Sequence, residues 1–255
     1  MDPVLSIRLE KVASDCGFDQ PAPAPEGWLG FASTQAPLRV WLTAHHTHLL
    51  IAAFSLESVA RAVTDMGVRL TSPLPADAAA GLTVHDLPTL HRVLRRALPL
   101  ARTLPTAPLE AFTAQVAHLS RTTEAERTVV QRVGQHLFRG ALMEFWEGRC
   151  AVTGLAIPAL LRASHCKPWA ECPTDAERLD VFNGLLLAPH LDAVFDLGFL
   201  TVHDDGAIRC AGAFTGAAQQ ALGLHDRLRV VGLHVGHRPY LQYHRTFVFL
   251  DGPGR

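Results

Sequence analysis

Two short apolar runs followed by a helix start most limit the folds open to this 255-residue chain. Leu160 to His165 and Asn183 to Leu187 have turn-forming boundaries, which predicts two buried strands. Pro189 comes next, and proline suits the first turn of a helix because its missing N–H would have no helical partner there. The predicted order is therefore strand, strand, helix.

Chemically active side chains are concentrated on these three elements. Asp192 and Asp196 are four residues apart, so they share one face of the predicted helix. Two carboxylates on one face suit Mg²⁺ or a similar hard cation, and the alternative is a solvated helix face. His165 adds an imidazole that can take a proton from water near neutral pH. A base and a hard cation are the minimum needed to hydrolyse a phosphodiester.

The motifs CAVTG, LLRASHCKPW and NGLLLAPHLDAVFD, which begin at Cys150, resemble the HNH endonuclease family. The similarity is to its zinc-free branch, in which Ser-His-x-Lys-Pro-Trp precedes Asn-Gly-Leu-Leu-Leu and a Phe-Asp pair. The lead-in from Thr123 is also similar to the segment before the nuclease core in bacterial homologues, so the resemblance covers about 123–208. It implies an α+β protein with a ββα-metal core, and cleavage of nucleic acid, usually DNA.

The resemblance also implies roles for single residues. His165 is expected to be the general base, and a structural histidine is the alternative. Asn183 is expected to hold a loop through its side-chain amide and to bring the two strands together. Lys167 could stabilise the charge that develops on the phosphorane, unless it is simply solvated. These three form the predicted catalytic set.

The sequence departs from the family pattern at two places. Ser164 stands where the commonest form has an acidic residue before the histidine. Asp192 stands where many relatives have a histidine nine residues after the asparagine, whereas His190 comes two residues earlier. Side chains two positions apart on a regular helix are rotated by about 200° around its axis, so His190 and Asp192 cannot both face one ion. We favour Asp192 with Asp196; His190 is the third metal candidate, and contact with phosphate or a surface position are its alternatives.

The ion is predicted to be Mg²⁺, with Mn²⁺ or Ni²⁺ as alternatives, and no structural zinc is expected. The five cysteines include no Cys-x-x-Cys pair. Cys150, Cys166 and Cys172 could gather around an ion with a histidine, but buried free thiols fit their spacing better. An odd cysteine count without a signal peptide is expected of a soluble, cytoplasmic protein.

A formal net charge of −1 means that any nucleic-acid contact must use local basic surface. Thr123 and Glu126 predict a capping box, which begins a helix that runs to about Trp146. On and after this helix the predicted nucleic-acid-binding residues are Arg132, Arg139 and Arg149. Glutamates of the same helix could pair with them instead. DNA is the expected partner, a membrane is not, and a homodimer is compatible with the sequence.

The chain is predicted to divide into an N-terminal α+β domain, 1–110, and a nuclease domain, 111–255. The nuclease domain comprises a linker helix 123–146, a core 150–208 and a helical extension 209–255. In the N-terminal domain, prolines 21, 23 and 25 predict an extended tether, and a patch of arginines is its basic surface. A metal site at His45, His46 and His48 is a minor alternative. The predicted strands are Trp28–Phe31, Leu38–Thr43 and His48–Phe54, and the predicted helices are Ser55–Asp65, Asp86–Leu100, Leu222–Leu233 and His237–Phe249.

These features together predict a metal-dependent DNA endonuclease whose N-terminal domain selects or positions the DNA, as in restriction or defence enzymes. The alternative is a DNA-binding module of the same fold whose catalytic site has decayed, suggested by Ser164 in place of the acid.

Overall fold

The computed structural model describes residues 1–45, 49–70, 73–104, 106–117, 123–225 and 227–252, and the side chains of 106 and 107 are not described. His46 and His48 of the predicted histidine site lie outside these residues. The chain divides into two compact units, Met1–Leu104 and Pro105–Arg255. Both contain helices and antiparallel strands, so the protein is of the α+β class.

Over its described residues, the first unit contains a six-stranded antiparallel sheet and three α-helices. Its elements are α1 (Pro3–Asp15), β1 (Gln20–Ala22), β2 (Leu29–Ala32), β3 (Arg39–His45), β4 (Leu49–Phe54), α2 (Glu57–Ala62), β5 (Val68–Arg69), β6 (Ala80–Val84) and α3 (Leu87–Thr103). The strand order in the sheet is β1-β2-β3-β4-β6-β5.

The strand β4 lies inside this sheet, between β3 and β6, and is buried from Leu50 to Phe54. Burial on both sides explains its unbroken apolar sequence. Asp86 caps α3 by accepting a hydrogen bond from Thr89 N at 2.6 Å, which confirms the predicted helix start.

Two predictions for this unit are wrong, and three of its elements were not predicted. The helix predicted from Ser55 to Asp65, with Ser55 as its N-cap, begins instead at Glu57 as α2. The Ser55 hydroxyl accepts a hydrogen bond from Arg39 N on β3, and the cap position is Leu56. The expected proline tether is in part the strand β1, paired with β2. The elements α1, β5 and β6 were not predicted; the two strands are short or lack clear alternation, so they complete the sheet through tertiary pairing.

The second unit contains the sequence motifs, and it combines short antiparallel strands with helices. Its elements are α4 (Thr106–Val116), α5 (Glu124–Phe145), β7 (Arg162–His165), α6 (Asp175–Arg178), β8 (Gly184–Leu187), α7 (Pro189–Asp196), β9 (Leu200–Val202), β10 (Ile208–Cys210), α8 (Gly216–Ala221) and α9 (Arg238–Tyr243).

The predicted strand–strand–helix order is confirmed. The strands β7 and β8 pair antiparallel, with Ser164 opposite Leu185 and His165 opposite Gly184, and α7 follows after one residue. The predicted capping box also forms at the start of α5: Thr123 Oγ1 accepts from Glu126 N and the Glu126 carboxylate accepts from Thr123 N.

The segment after residue 208 is less helical than predicted. The strand β10 pairs with β9. The span predicted as a helix from Leu222 to Leu233 contains turns, irregular backbone and an isolated β-bridge from Arg229 to Ala207 over its described residues. The predicted helix from His237 is confirmed as α9, which continues as a π-helical turn over His244–Val248. No helix among the residues described is both long and apolar enough to cross a membrane.

Candidate active site

The ring of His165 is held between α5 and the loop after β7. It stacks on Phe138 with ring centroids 3.8 Å apart and meets Trp169 edge-on at 5.8 Å. Gly134 permits this packing, because a Cβ atom there would collide with the Trp169 indole. The half-buried imidazole is therefore oriented by aromatic contacts from two elements.

One hydrogen bond sets the tautomer of His165. Its Nε2 lies 2.9 Å from the carbonyl oxygen of Arg178, and a carbonyl can only accept, so Nε2 carries the proton. Desolvation lowers the pKa of His165 to about 4, although the bond to Arg178 opposes the shift. The ring is thus neutral at neutral pH, and Nδ1 keeps a lone pair that can accept a proton.

His165 borders an open surface depression. The other residues that line it come from α5 and β7: Gln135, Phe138, Arg139, Arg162 and Ala163. Solvent or a ligand can therefore reach the neighbourhood of the imidazole.

The other face of β7 meets α7. The Ser164 hydroxyl donates a hydrogen bond to Asp192 Oδ1, and Ser164 is only 1 % exposed. Successive residues of a strand point to opposite faces, so Ser164 faces the carboxylates whereas His165 faces α5. The predicted base and the predicted metal ligands therefore contact different elements.

The two aspartates of α7 form the acidic pair that their spacing predicted. The pKa of Asp196 is raised to about 6, first by desolvation of its carboxyl group and second by the charge of Asp192. A cation would relieve this repulsion, and Mg²⁺ is commonly held by one or two carboxylates together with water and phosphate oxygens. The carboxylate pair therefore fits a hard cation.

His190 does not join that pair. The helix α7 is regular from Pro189 onward, so His190 points about 200° away from Asp192. Across the described ranges, no three His, Cys, Asp or Glu side chains come together as a group that could hold a metal ion.

Asn183 is completely buried and closes the loop between the two strands. Its Oδ1 accepts from Lys167 N at 2.8 Å, and its Nδ2 donates to the carbonyls of Lys167 and Glu177, each at 3.2 Å. This confirms the prediction that the amide holds a loop.

The comparison with known families agrees with this arrangement. The family model described as HNH endonuclease matches residues 150–203, which include β7, β8 and α7. The segment 150–203 is therefore similar to the HNH endonuclease family. No curated protein matches the chain. We call residues 150–203 the HNH segment.

Within the HNH segment, Lys167 is bound rather than solvated. Its Nζ lies 2.9 Å from Glu177 Oε1, and its side chain is 16 % exposed. The same ammonium lies 5.2 Å from the ring centroid of Tyr243. These contacts show a structural role for Lys167, and its predicted role in charge stabilisation is not tested by them.

The three arginines predicted to meet nucleic acid have different surroundings. Arg132 and Arg149 are exposed. Arg139 is half-buried and donates to backbone carbonyls of the HNH segment, Leu161 at 2.6 Å and Pro158 at 2.7 Å. Sequence reasoning missed Arg162, which the depression brings beside Arg139; its position three residues before His165 was the available signal.

The cysteines of the HNH segment have separate partners. Cys150 Sγ accepts from Ala188 N at 3.3 Å, and Cys172 Sγ lies 3.3 Å from Asn183 Nδ2. Cys166 is fully buried, and desolvation followed by the charge of Asp196 raises the pKa of its thiol. All three are free thiols.

Proposed function

We propose that this protein is a metal-dependent endonuclease that hydrolyses phosphodiester bonds in DNA. One observation carries the proposal: in the HNH segment, the Nε2–H of His165 donates to the Arg178 carbonyl, which leaves Nδ1 unprotonated, and His165 borders an open depression. A neutral, oriented imidazole is what abstraction of a proton from water requires.

Three residues of the HNH segment have different proposed roles in the reaction. Nδ1 of His165 takes the proton of the attacking water, and the Arg178 carbonyl with the Phe138 ring keeps the imidazole in its orientation. Asn183 is proposed to act through the loop that it closes, and Lys167 through its ion pair with Glu177 in that loop.

Asp192 and Asp196 are the residues proposed to hold the divalent cation, with Mg²⁺ as the first choice and Mn²⁺ or Ni²⁺ as alternatives. When bound, such a cation supplies a positive charge that stabilises negative charge on phosphate oxygens. The mutual repulsion of the two carboxylates supports this assignment. His190 is proposed to contact the nucleic acid instead.

The first unit is proposed to select or position the DNA, and the whole protein to act as a restriction or defence nuclease. Both proposals rest on analogy with enzymes that join a separate DNA-reading domain to an HNH nuclease domain. The observation behind the analogy is that the chain has a separate six-stranded unit in addition to the HNH segment. The exposed Arg132 and Arg149 are proposed to contact the DNA backbone.

A second candidate function is a nucleic-acid-binding module that no longer cleaves. It is favoured by the bond from Ser164 to Asp192, since Ser164 replaces an acid and occupies one carboxylate oxygen of the proposed ligand.

Plasmid cleavage separates the two functions. Supercoiled DNA, methylated and unmethylated, is incubated with the protein in Mg²⁺, Mn²⁺, Ni²⁺ or EDTA, and nicked and linear products are measured. We expect cleavage with a divalent ion and none with EDTA. Binding without cleavage under every condition would support the decayed module.

A further inference from the structure

The side chains of Arg139 and Arg162 meet at one backbone oxygen. Arg139 Nη1 donates to the Leu161 carbonyl at 2.6 Å, and Arg162 Nη1 donates to the same oxygen at 3.2 Å. Two guanidinium groups are thus held side by side at the edge of the depression that His165 borders.

The two guanidinium groups carry positive charge that backbone carbonyls solvate but do not neutralise. Among the residues that the structure describes, neither guanidinium forms an ion pair with a carboxylate, and the other residues lining the depression are uncharged apart from the titratable His165. Two adjacent cations repel each other, and a bound anion would reverse that cost. The guanidinium fork matches phosphate oxygens, to which it can donate two parallel hydrogen bonds.

The surroundings favour a strand rather than a small free anion. The depression is open, and the face of α5 that borders it continues to the exposed Arg132, seven residues before Arg139 and about 10 Å along the helix axis. Exposed Gln135 lies between them on the same face and offers an amide to the same ligand.

We propose that Arg139 and Arg162 form a phosphate clamp for one phosphodiester of a nucleic-acid strand, next to His165. The proposal deepens the proposed function, on which it rests, by naming the residues that bring the backbone to the base. Arg162 is the part of the clamp that is tested, because it is exposed and its backbone contacts, with Leu161 at 3.2 Å and Ala159 at 3.3 Å, are longer than those of Arg139. Arg139 also holds the segment 158–161 through its two hydrogen bonds, so its removal would disturb the fold.

The test measures binding without cleavage. Affinity of the full chain for a fluorescent DNA duplex is determined by anisotropy in EDTA over a series of KCl concentrations. Arg162→Gln is expected to weaken binding about 3- to 10-fold and to reduce the slope of log Kd against log salt by about 1, as for one lost phosphate contact. Arg162→Lys should recover part of the affinity, since it restores the charge without the fork. Arg227→Gln, an exposed arginine of the same unit, is the matched charge control and should change neither quantity appreciably.

The outcomes separate this proposal from the proposed function. If the wild-type protein never cleaves but Arg162→Gln lowers the slope of log Kd against log salt, the result supports the phosphate clamp and contradicts the proposed endonuclease activity. An unchanged slope and affinity in folded Arg162→Gln overturn the clamp whether or not the protein cleaves, and so does a wild-type protein that does not bind the duplex. Inorganic phosphate alone provides the last arm: a phosphate-induced thermal shift that Arg162→Gln abolishes, with unchanged DNA binding, would assign the site to free phosphate and overturn the assignment to a strand.

Discussion

The buried hydroxyl of Ser164 on β7 donates a hydrogen bond to the carboxylate of Asp192 on α7. This bond joins the first strand of the HNH segment to the helix that carries the proposed metal ligands. The bond also shows the role of Ser164 in the place where an acid was expected, since its neutral hydroxyl donates to the Asp192 carboxylate. An acidic residue at position 164 would instead add a third negative charge beside Asp192 and Asp196.

Removal of that donor should destabilise the second unit. Ser164→Ala leaves a partly buried carboxylate oxygen without its partner, so we expect the free energy of unfolding to fall by about 1–3 kcal/mol. Urea denaturation measures the change, and Ser14→Ala at an exposed position is the control. An unchanged free energy in Ser164→Ala would show that the bond contributes nothing to stability.

Replacement of the base should abolish most of the cleavage. His165→Gln keeps a side-chain N–H for the Arg178 carbonyl but provides no base, so we expect cleavage to fall about 10²- to 10⁴-fold. DNA affinity in EDTA should remain within about twofold, since the imidazole is neutral and carries no phosphate-binding charge. Cleavage close to the wild-type rate would exclude His165 as the general base.

The metal ligands can be ranked by substitution. Asp192→Asn keeps an oxygen that can accept from Ser164 and removes the negative charge, so cleavage should be lost and calorimetry should show weaker binding of the divalent ion. Asp196→Asn should act in the same direction. His190→Ala should be milder, because its side chain leaves the opposite side of α7. The reverse ranking would make His190 the ligand.

The loop closed by Asn183 should depend on both atoms of its amide. Asn183→Ala leaves Lys167 N and the carbonyls of Lys167 and Glu177 without these hydrogen bonds, and we expect a loss of about 2–4 kcal/mol. Thermal unfolding measures it, with the exposed Gln220→Ala as the control. Normal stability with lost cleavage would instead indicate a direct catalytic role for Asn183.

Stability should fall in acid through the buried His244. Its ring stacks on Phe195 of α7, its Nδ1 lies 2.9 Å from Thr201 Oγ1, and desolvation lowers its pKa to about 4. The unfolded chain binds the proton near pH 6.5, so this contribution is full above pH 6.5 and is lost as the pH falls toward 4. By linkage the loss at pH 5 is about 2 kcal/mol.

Urea denaturation at pH 7.5 and pH 5 tests this. His244→Gln should be less stable at pH 7.5 and should lose less on acidification than the wild type, whereas the exposed His225→Gln should behave as the wild type does. Equal pH dependence in His244→Gln and the wild type would show that another group causes it.

The sequence by itself determined the features that depend on near neighbours along the chain. The capping box of Thr123 and Glu126, the strand–strand–helix order and the shared face of Asp192 and Asp196 follow from local spacing and helix geometry. The resemblance to the HNH family could also be recognised from the sequence, since a family motif is a pattern of residues in a fixed order. The same reasoning failed from Leu222 to Leu233, where the described residues form turns, irregular backbone and a β-bridge instead of the predicted helix, because tertiary contacts override weak local preferences.

Only the tertiary structure decided which side chains meet. The contacts that form the site join residues 22 or more positions apart: Ser164 with Asp192, His165 with Phe138, and Arg139 with Arg162. Each depends on which face of β7 packs against α5 and which against α7. A strand of four residues carries too short a pattern to specify that choice, and burial against the two helices makes it.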